Sequence, residues 1–176
     1  MKNNNPVIYA FIDSQNLNLS VQEEVKDKKN KQVIYPGWKL DFAKFNVYLR
    51  QKYNVARIFL FIGYKNQYES LYSFLRQAGY NIIFKPTLDH SGKTKGNVDA
   101  ELVLHSMIEF PNYDGAIIVS GDGDFHCLIE YLVKKKKLFR LFIPNEFSYS
   151  SLLRKFRPWI AFVSRLRNKM EKLKKR

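Results

Sequence analysis

Apolar residues along this chain fall into short unbroken runs separated by amphipathic stretches. Val7 to Ile12 is apolar throughout and ends at Asp13. An unbroken run of that length reads as a strand buried on both faces. Val55 to Ile62, Tyr80 to Lys85, Ala116 to Val119 and Leu138 to Ile143 read the same way, with Ile160 to Val163 as a short sixth strand. Between them the spacing turns helical. Ser14 to Val21 predicts a short helix, followed by a charged exposed loop through Lys31 and Pro36-Gly37. Phe42, Phe45, Leu49 and Tyr53 follow Asp41, which has the chemistry of an N-cap. Tyr68, Leu71, Leu75 and Ala78 end at Gly79, which suits a left-handed helix stop. Further helices are expected from Val98 to Phe110, from the loop after Val119 to about Lys136, and over Ser148 to Phe156.

Strands alternating with helices predict an α/β sandwich with a mostly parallel central sheet. Right-handed crossovers gather the carboxyl ends of the strands at one edge. With strand order 3-2-1-4-5, the first and fourth strands flank the switch point, where such sheets carry their sites.

Composition narrows the class. The chain has 176 residues, 45% of them hydrophobic and only 14 of them Gly or Pro. That is enough to build the core of one domain and excludes collagen and wholesale disorder. The longest apolar run is six residues, far short of the ~20 that cross a bilayer, so no membrane association is expected. One cysteine, Cys127, excludes an internal disulfide and a multi-cysteine metal site, and a reducing cytoplasm is the simplest setting.

Charge changes the picture most. Lys and Arg number 30 against 16 Asp and Glu, a net charge of +14. Residues 154–176 hold ten of the basic groups and a single acid, Glu171. Lys26 to Lys31 and Lys134 to Lys137 form two smaller clusters. Such an excess favours a polyanionic partner, because bound phosphates release counterions. The terminal stretch also places Val163, Leu166, Met170 and Leu173 on one helical stripe, predicting a basic C-terminal helix that docks on the body or pairs with another protomer.

Against this basic background, the acids converge. Asp13 ends the first strand, and Asp122 and Asp124 follow the fourth in Ser120-Gly121-Asp122-Gly123-Asp124. Asp99 opens the helix after a polar loop, within reach of the same edge. Each alone reads as a helix cap or turn residue. Together, like charges at one switch point repel, and a divalent cation offsets that repulsion. All-carboxylate donors suit Mg²⁺ or Mn²⁺.

Three elements then occur in order: Asp13-Ser-Gln-Asn16, Lys95-Gly-Asn-Val-Asp99 and Ser120-Gly-Asp-Gly-Asp-Phe125. Together they resemble the NYN domain family, the LabA-like branch of PIN-like nucleases, over roughly residues 7–163. The resemblance implies a Rossmann-like, PIN-type three-layer sandwich over residues 1–163, with 164–176 as a basic helical tail. It further implies Mg²⁺- or Mn²⁺-dependent hydrolysis of RNA by metal-activated water. Asp13, Asp99, Asp122 and Asp124 match its acidic site, and Asn16 its polar partner. One position departs: His105 stands where many relatives carry a further acid, and Glu101 lies on another face of that helix from Asp99. This keeps one-metal and two-metal sites open, and keeps a non-catalytic RNA-binding regulator as the alternative function. Ser120 belongs to an anion-friendly turn, and Lys85 and Lys95 are candidates for holding the scissile strand. Tyr64, Tyr68 and Trp38, expected to be exposed, have the chemistry to stack on unpaired bases, while most aromatics of such a chain belong to its core. RNA is the expected partner, and a homodimer is compatible with the sequence.

Overall fold

The computed structural model describes residues 5–85, 88–90, 93–95 and 98–173. Its elements in chain order are β1 (Ile8–Asp13), α1 (Ser14–Gln22), β2 (Val25–Lys26), β3 (Val33–Tyr35), α2 (Phe42–Tyr53), β4 (Val55–Gly63), α3 (Glu69–Gln77) and β5 (Asn81–Lys85). There follow β6 (Leu88–His90), β7 (Lys93–Lys95), α4 (Val98–Ile108), β8 (Gly115–Val119), α5 (His126–Lys134), β9 (Leu138–Ile143), β10 (Ile160–Phe162) and α6 (Arg167–Met170).

Six strands form one sheet in the order β10-β9-β8-β1-β4-β5, and every pairing is parallel. Taken from the other edge, this is the expected 3-2-1-4-5 arrangement, continued by the short sixth strand. β1 lies between β4 and β8, and all six of its residues are buried. Its side chains alternate between two cores, as a pleated strand requires. Ile8, Ala10 and Ile12 meet the layer that holds α1, α2 and α3, while Tyr9 and Phe11 meet the layer of α4 and α5. The result is a three-layer, PIN-like α/β sandwich, with helices on both faces of a parallel sheet.

The caps follow the sequence. Asp41 Oδ1 accepts from the Ala43 and Lys44 amides at 3.0 and 3.2 Å. Gly79, at φ +93°, ends α3 in the region that glycine favours. Arg50 ties the end of α2 to its neighbours, donating to Asn46 Oδ1 at 2.9 Å and to the Gly79 carbonyl at 3.0 Å.

Three segments differ from expectation. The charged stretch after α1 closes as an antiparallel pair, β2 with β3; apolar Val25 and Val33–Tyr35 supply the strand residues that the surrounding lysines mask. The segment expected as helical after β9 is a 3₁₀ run, Ser151–Trp159, whose Ser150 cap accepts from the Leu152 amide. Among the described residues, the C-terminal helix is present as the four residues of α6. Met170 is buried in the core, and the chain then turns extended at Glu171. There it pairs with the strand-like segment before α2: Asp41 N donates to Met170 O, and Lys172 N to Lys39 O, each at 2.8 Å. Once its backbone groups are satisfied laterally, the stripe has no reason to continue as a helix. Leu173, the last stripe residue, is exposed. Lys174, Lys175 and Arg176 lie outside the described residues.

Candidate metal centre

The carboxyl ends of β1 and β8 lie side by side, and the acids gather above them. Asp13 is the last residue of β1, paired in register with Phe61 of β4. It is also the N-cap of α1, its Oδ1 accepting from the Asn16 amide at 3.0 Å. Its cap role and its place in the site therefore coexist. The side chain is only 4% exposed. Burial pushes its carboxyl up to about 6, and the neighbouring Asp99 and Asp122 charges push the same way. Hydrogen bonds from Asn16 N and Ser120 Oγ act in the opposite direction.

Asp99 lies in the first turn of α4. Asp122 caps the 3₁₀ turn Gly123–Phe125, accepting from the Asp124 amide at 3.0 Å. Asp99, Asp122 and Asp124 each offer a carboxylate oxygen, and these oxygens lie within 4.8 Å of one another. Asp124 is the exposed member and the other two are half-buried. Asp13 is not one of this trio but lies close enough to feel two of its charges.

A small polar network holds the arrangement. Ser120 Oγ donates to Asp13 Oδ2 at 3.3 Å and accepts from Asp122 N at 3.1 Å. Ser120 is buried, so its hydroxyl orders two acids instead of facing solvent. Asn16 Oδ1 accepts from Gly121 N at 2.8 Å, joining the loop after β1 to the loop after β8. A Cβ at Gly123 would collide with the Ser150 side chain, so only glycine lets the turn sit against that loop. Ser150 N donates back to Gly121 O at 3.0 Å. This backing by Ser150 carries no signal in the sequence, since a serine after a Pro-Asn turn looks like any loop residue.

His105, at the position of the departure, lies off the trio. Its ring packs on Phe61 at 5.7 Å, with Nε2 3.8 Å from Glu101 Oε2. Lys85 closes β5 and is 6% exposed, with no hydrogen-bond partner on Nζ among the described residues. Burial pulls its ammonium below the usual range, while the Asp99 and Glu101 charges oppose that. Lys95 ends β7; its side chain lies outside the described residues, as do Gly96 and Asn97 of its motif. Lys137 serves the fold, donating to the Phe110 and Tyr113 carbonyls at 2.7 and 2.5 Å. Trp38, expected to be exposed, is buried in the core.

A parallel sheet with acids collected at its switch point defines a PIN-like sandwich with a candidate metal site, and oxygen donors of this kind fit a hard divalent cation. The chain belongs to the NYN domain family, which matches residues 8–157. That family is nuclease-like and acts on nucleic acids. The fold is similar to the crystal structure of a protein of unknown function from Vibrio parahaemolyticus, with a TM-score of 0.69 and 20% identity, covering 93% of this chain and 96% of that one. No curated protein matches the chain in sequence. Among the described residues, no helix is long and apolar enough to cross a membrane.

Proposed function

We propose that the chain is a divalent-metal-dependent ribonuclease that hydrolyses RNA phosphodiester bonds. The observation that carries this reading is the convergence of Asp99, Asp122 and Asp124 within 4.8 Å, beside the buried Asp13, in a chain of net charge +14. Asp13, Asp99, Asp122 and Asp124 would hold Mg²⁺ or Mn²⁺. A cation there supplies an acidified water and charge neutralisation at the phosphate.

The remaining work falls to the protein's own groups. Asp124, the exposed carboxylate, accepts a proton from the attacking water. Attack in line on phosphorus breaks the P–O3′ bond and leaves a 5′-phosphate and a 3′-hydroxyl. Ser120 and the Asn16 amide keep Asp13 and Asp122 oriented through the bonds already described. Asn16 Nδ2 donates to a phosphate oxygen, and Lys85 and Lys95 hold the strand by charge.

The test is labelled single-stranded RNA incubated with Mg²⁺ or Mn²⁺, comparing wild type with Asp13→Asn and Asp122→Asn. Cleavage by wild type alone supports the reading, whereas equal rates for all three remove it. His105, engaged with Phe61 and Glu101 where relatives often carry an acid, favours a second reading: an RNA-binding regulator that does not cut. Binding without metal-dependent cleavage in the same assay would select it.

A further inference from the structure

The segment that joins β9 to β10 carries charge that the acid cluster does not use. Because the two strands pair in parallel, it starts at the carboxyl edge of the sheet and returns to the opposite edge. Its first residues lie against the Asp122–Asp124 turn. Ser150 N donates to Gly121 O at 3.0 Å, and a Cβ at Gly123 would lie 3.1 Å from Leu152 Cδ1. The 3₁₀ run Ser151–Trp159 follows. Leu153 and Phe156 are its buried stripe, packed into the core layer of α4 and α5.

Three residues make one 3₁₀ turn, so Leu153 and Phe156 share a face of the run. Arg154 and Arg157 directly follow them and leave the run on one side of that stripe, both exposed. Lys155, between them, meets Glu130 of α5 at 2.7 Å and holds its carboxyl below the usual range. This acid is therefore neutralised by a residue other than the two arginines.

Elsewhere the chain's own acids occupy its arginines. Arg57, Arg76, Arg165 and Arg167 each hold a glutamate within 3.4 Å. Among the described residues, Arg154 and Arg157 pair with no carboxylate. The basic groups of the C-terminal stretch thus divide into two kinds: Arg165 and Arg167 bind the fold, and Arg154 and Arg157 face outward. A guanidinium presents its donors as a planar fork that can meet two oxygens of one phosphate. Two forks one turn apart, beginning just over a turn from the acid cluster, suit a chain of phosphates better than a lone small anion.

We propose that Arg154 and Arg157 form a phosphate rail on the β9–β10 crossover, which holds the RNA backbone on the α5 side of the acid cluster. The proposal rests on the nucleic-acid reading above and deepens it by giving the strand a path beside the acids. It assigns affinity to this crossover and not to net charge in general.

The experiment measures binding of fluorescein-labelled single-stranded RNA without cutting, in EDTA, over about 0.05 to 0.2 M salt, where phosphate contacts dominate the response. The double variant Arg154→Gln with Arg157→Gln should lower the slope of log affinity against log salt by about 1.4, at ~0.7 for each phosphate contact of a single strand. On the same basis it should weaken binding by roughly 20-fold at ~0.1 M salt. Arg154→Lys with Arg157→Lys keeps both charges and should keep most of the slope. Lys28→Gln with Lys29→Gln removes the same charge from the loop between β2 and β3, and its slope should stay near wild type. All these positions are exposed, so melting temperatures without RNA should match wild type and show that the fold is intact. An unchanged slope in the Arg154 and Arg157 Gln variant, or an equal drop in the Lys28 and Lys29 variant, overturns the rail and leaves the nuclease reading intact. A slope lost as fully in the Lys variant as in the Gln variant also overturns it, because charge at these positions is then not what the RNA meets. Failure of wild type to bind RNA removes the nucleic-acid reading itself, and the rail with it.

Discussion

Replacing Asp13 by Asn isolates the energetic cost of the candidate metal centre. The folded-state carboxyl titrates at about 6 instead of the ordinary 3.8, with burial as the largest cause. Its folded value is raised, so its contribution to stability is fully present below 3.8 and is lost as pH rises through about 6. Above that window the native state carries a buried charge worth roughly 3 kcal/mol, which the unfolded chain does not. Asn keeps the shape and the key bonds. Its Oδ1 can accept from Asn16 N, and its Nδ2 can donate to Ser120 Oγ, whose hydroxyl turns to suit. Urea denaturation in EDTA at pH 4 and pH 8 should therefore show the variant gaining on wild type by about 2.5 kcal/mol between the two, the unfolded carboxyl being already half ionised at pH 4. Mg²⁺ at pH 8 should reverse the order by stabilising wild type alone, by ~4.1 kcal/mol at a thousand times its Kd. A stability difference independent of pH, or a variant less stable than wild type at pH 8 in EDTA, would refute the assignment of a strained buried carboxylate.

Other expectations follow from the same contacts. Asp122→Asn should lose metal-dependent thermal stabilisation, read as a melting temperature that no longer responds to Mg²⁺ or Mn²⁺; an unchanged response would take Asp122 out of the site. Gly123→Ala should destabilise the fold by ~1–3 kcal/mol by driving a methyl group into Ser150, and Ser150→Gly should recover much of the loss in a double-mutant cycle. Met170→Ala should cost ~2–5 kcal/mol in denaturant unfolding, because the residue is core and not a free tail; a loss under 0.5 kcal/mol, typical of surface sites, would show that the docked segment contributes little. Removing 171–176 should flatten the salt dependence of RNA binding if its lysines meet phosphate, and an unchanged slope would take that segment out of the RNA path.

Much of this molecule is legible in its residues, because burial on both faces forces unbroken apolar runs. β1, β4, β8 and β9 follow from such runs, and the parallel order follows from alternation with helices. The caps Asp41 and Gly79 are local chemistry and were readable. So was the gathering of acids, since strand ends in a parallel sheet share an edge. The β2–β3 pair was not, because lysine-rich composition hides a weak two-stranded contact. Trp38 could not be placed from sequence, because whether a lone tryptophan is covered depends on segments distant along the chain.

The residues alone determined the layer architecture, the expectation that acids gather at one sheet edge, and the basic excess of the chain. These depend on periodicity, on charge and on local turn chemistry, all of which act over a few residues. Only the tertiary structure decided how the acids are backed and how the rest of the chain packs. Ser150 against Gly123, Ser120 between two aspartates, Met170 in the core, and Tyr64 braced by Tyr72 and Phe84 are contacts between parts that fold together from separate segments. Their partners are chosen by packing in three dimensions, where a side chain's neighbours have no fixed spacing along the chain.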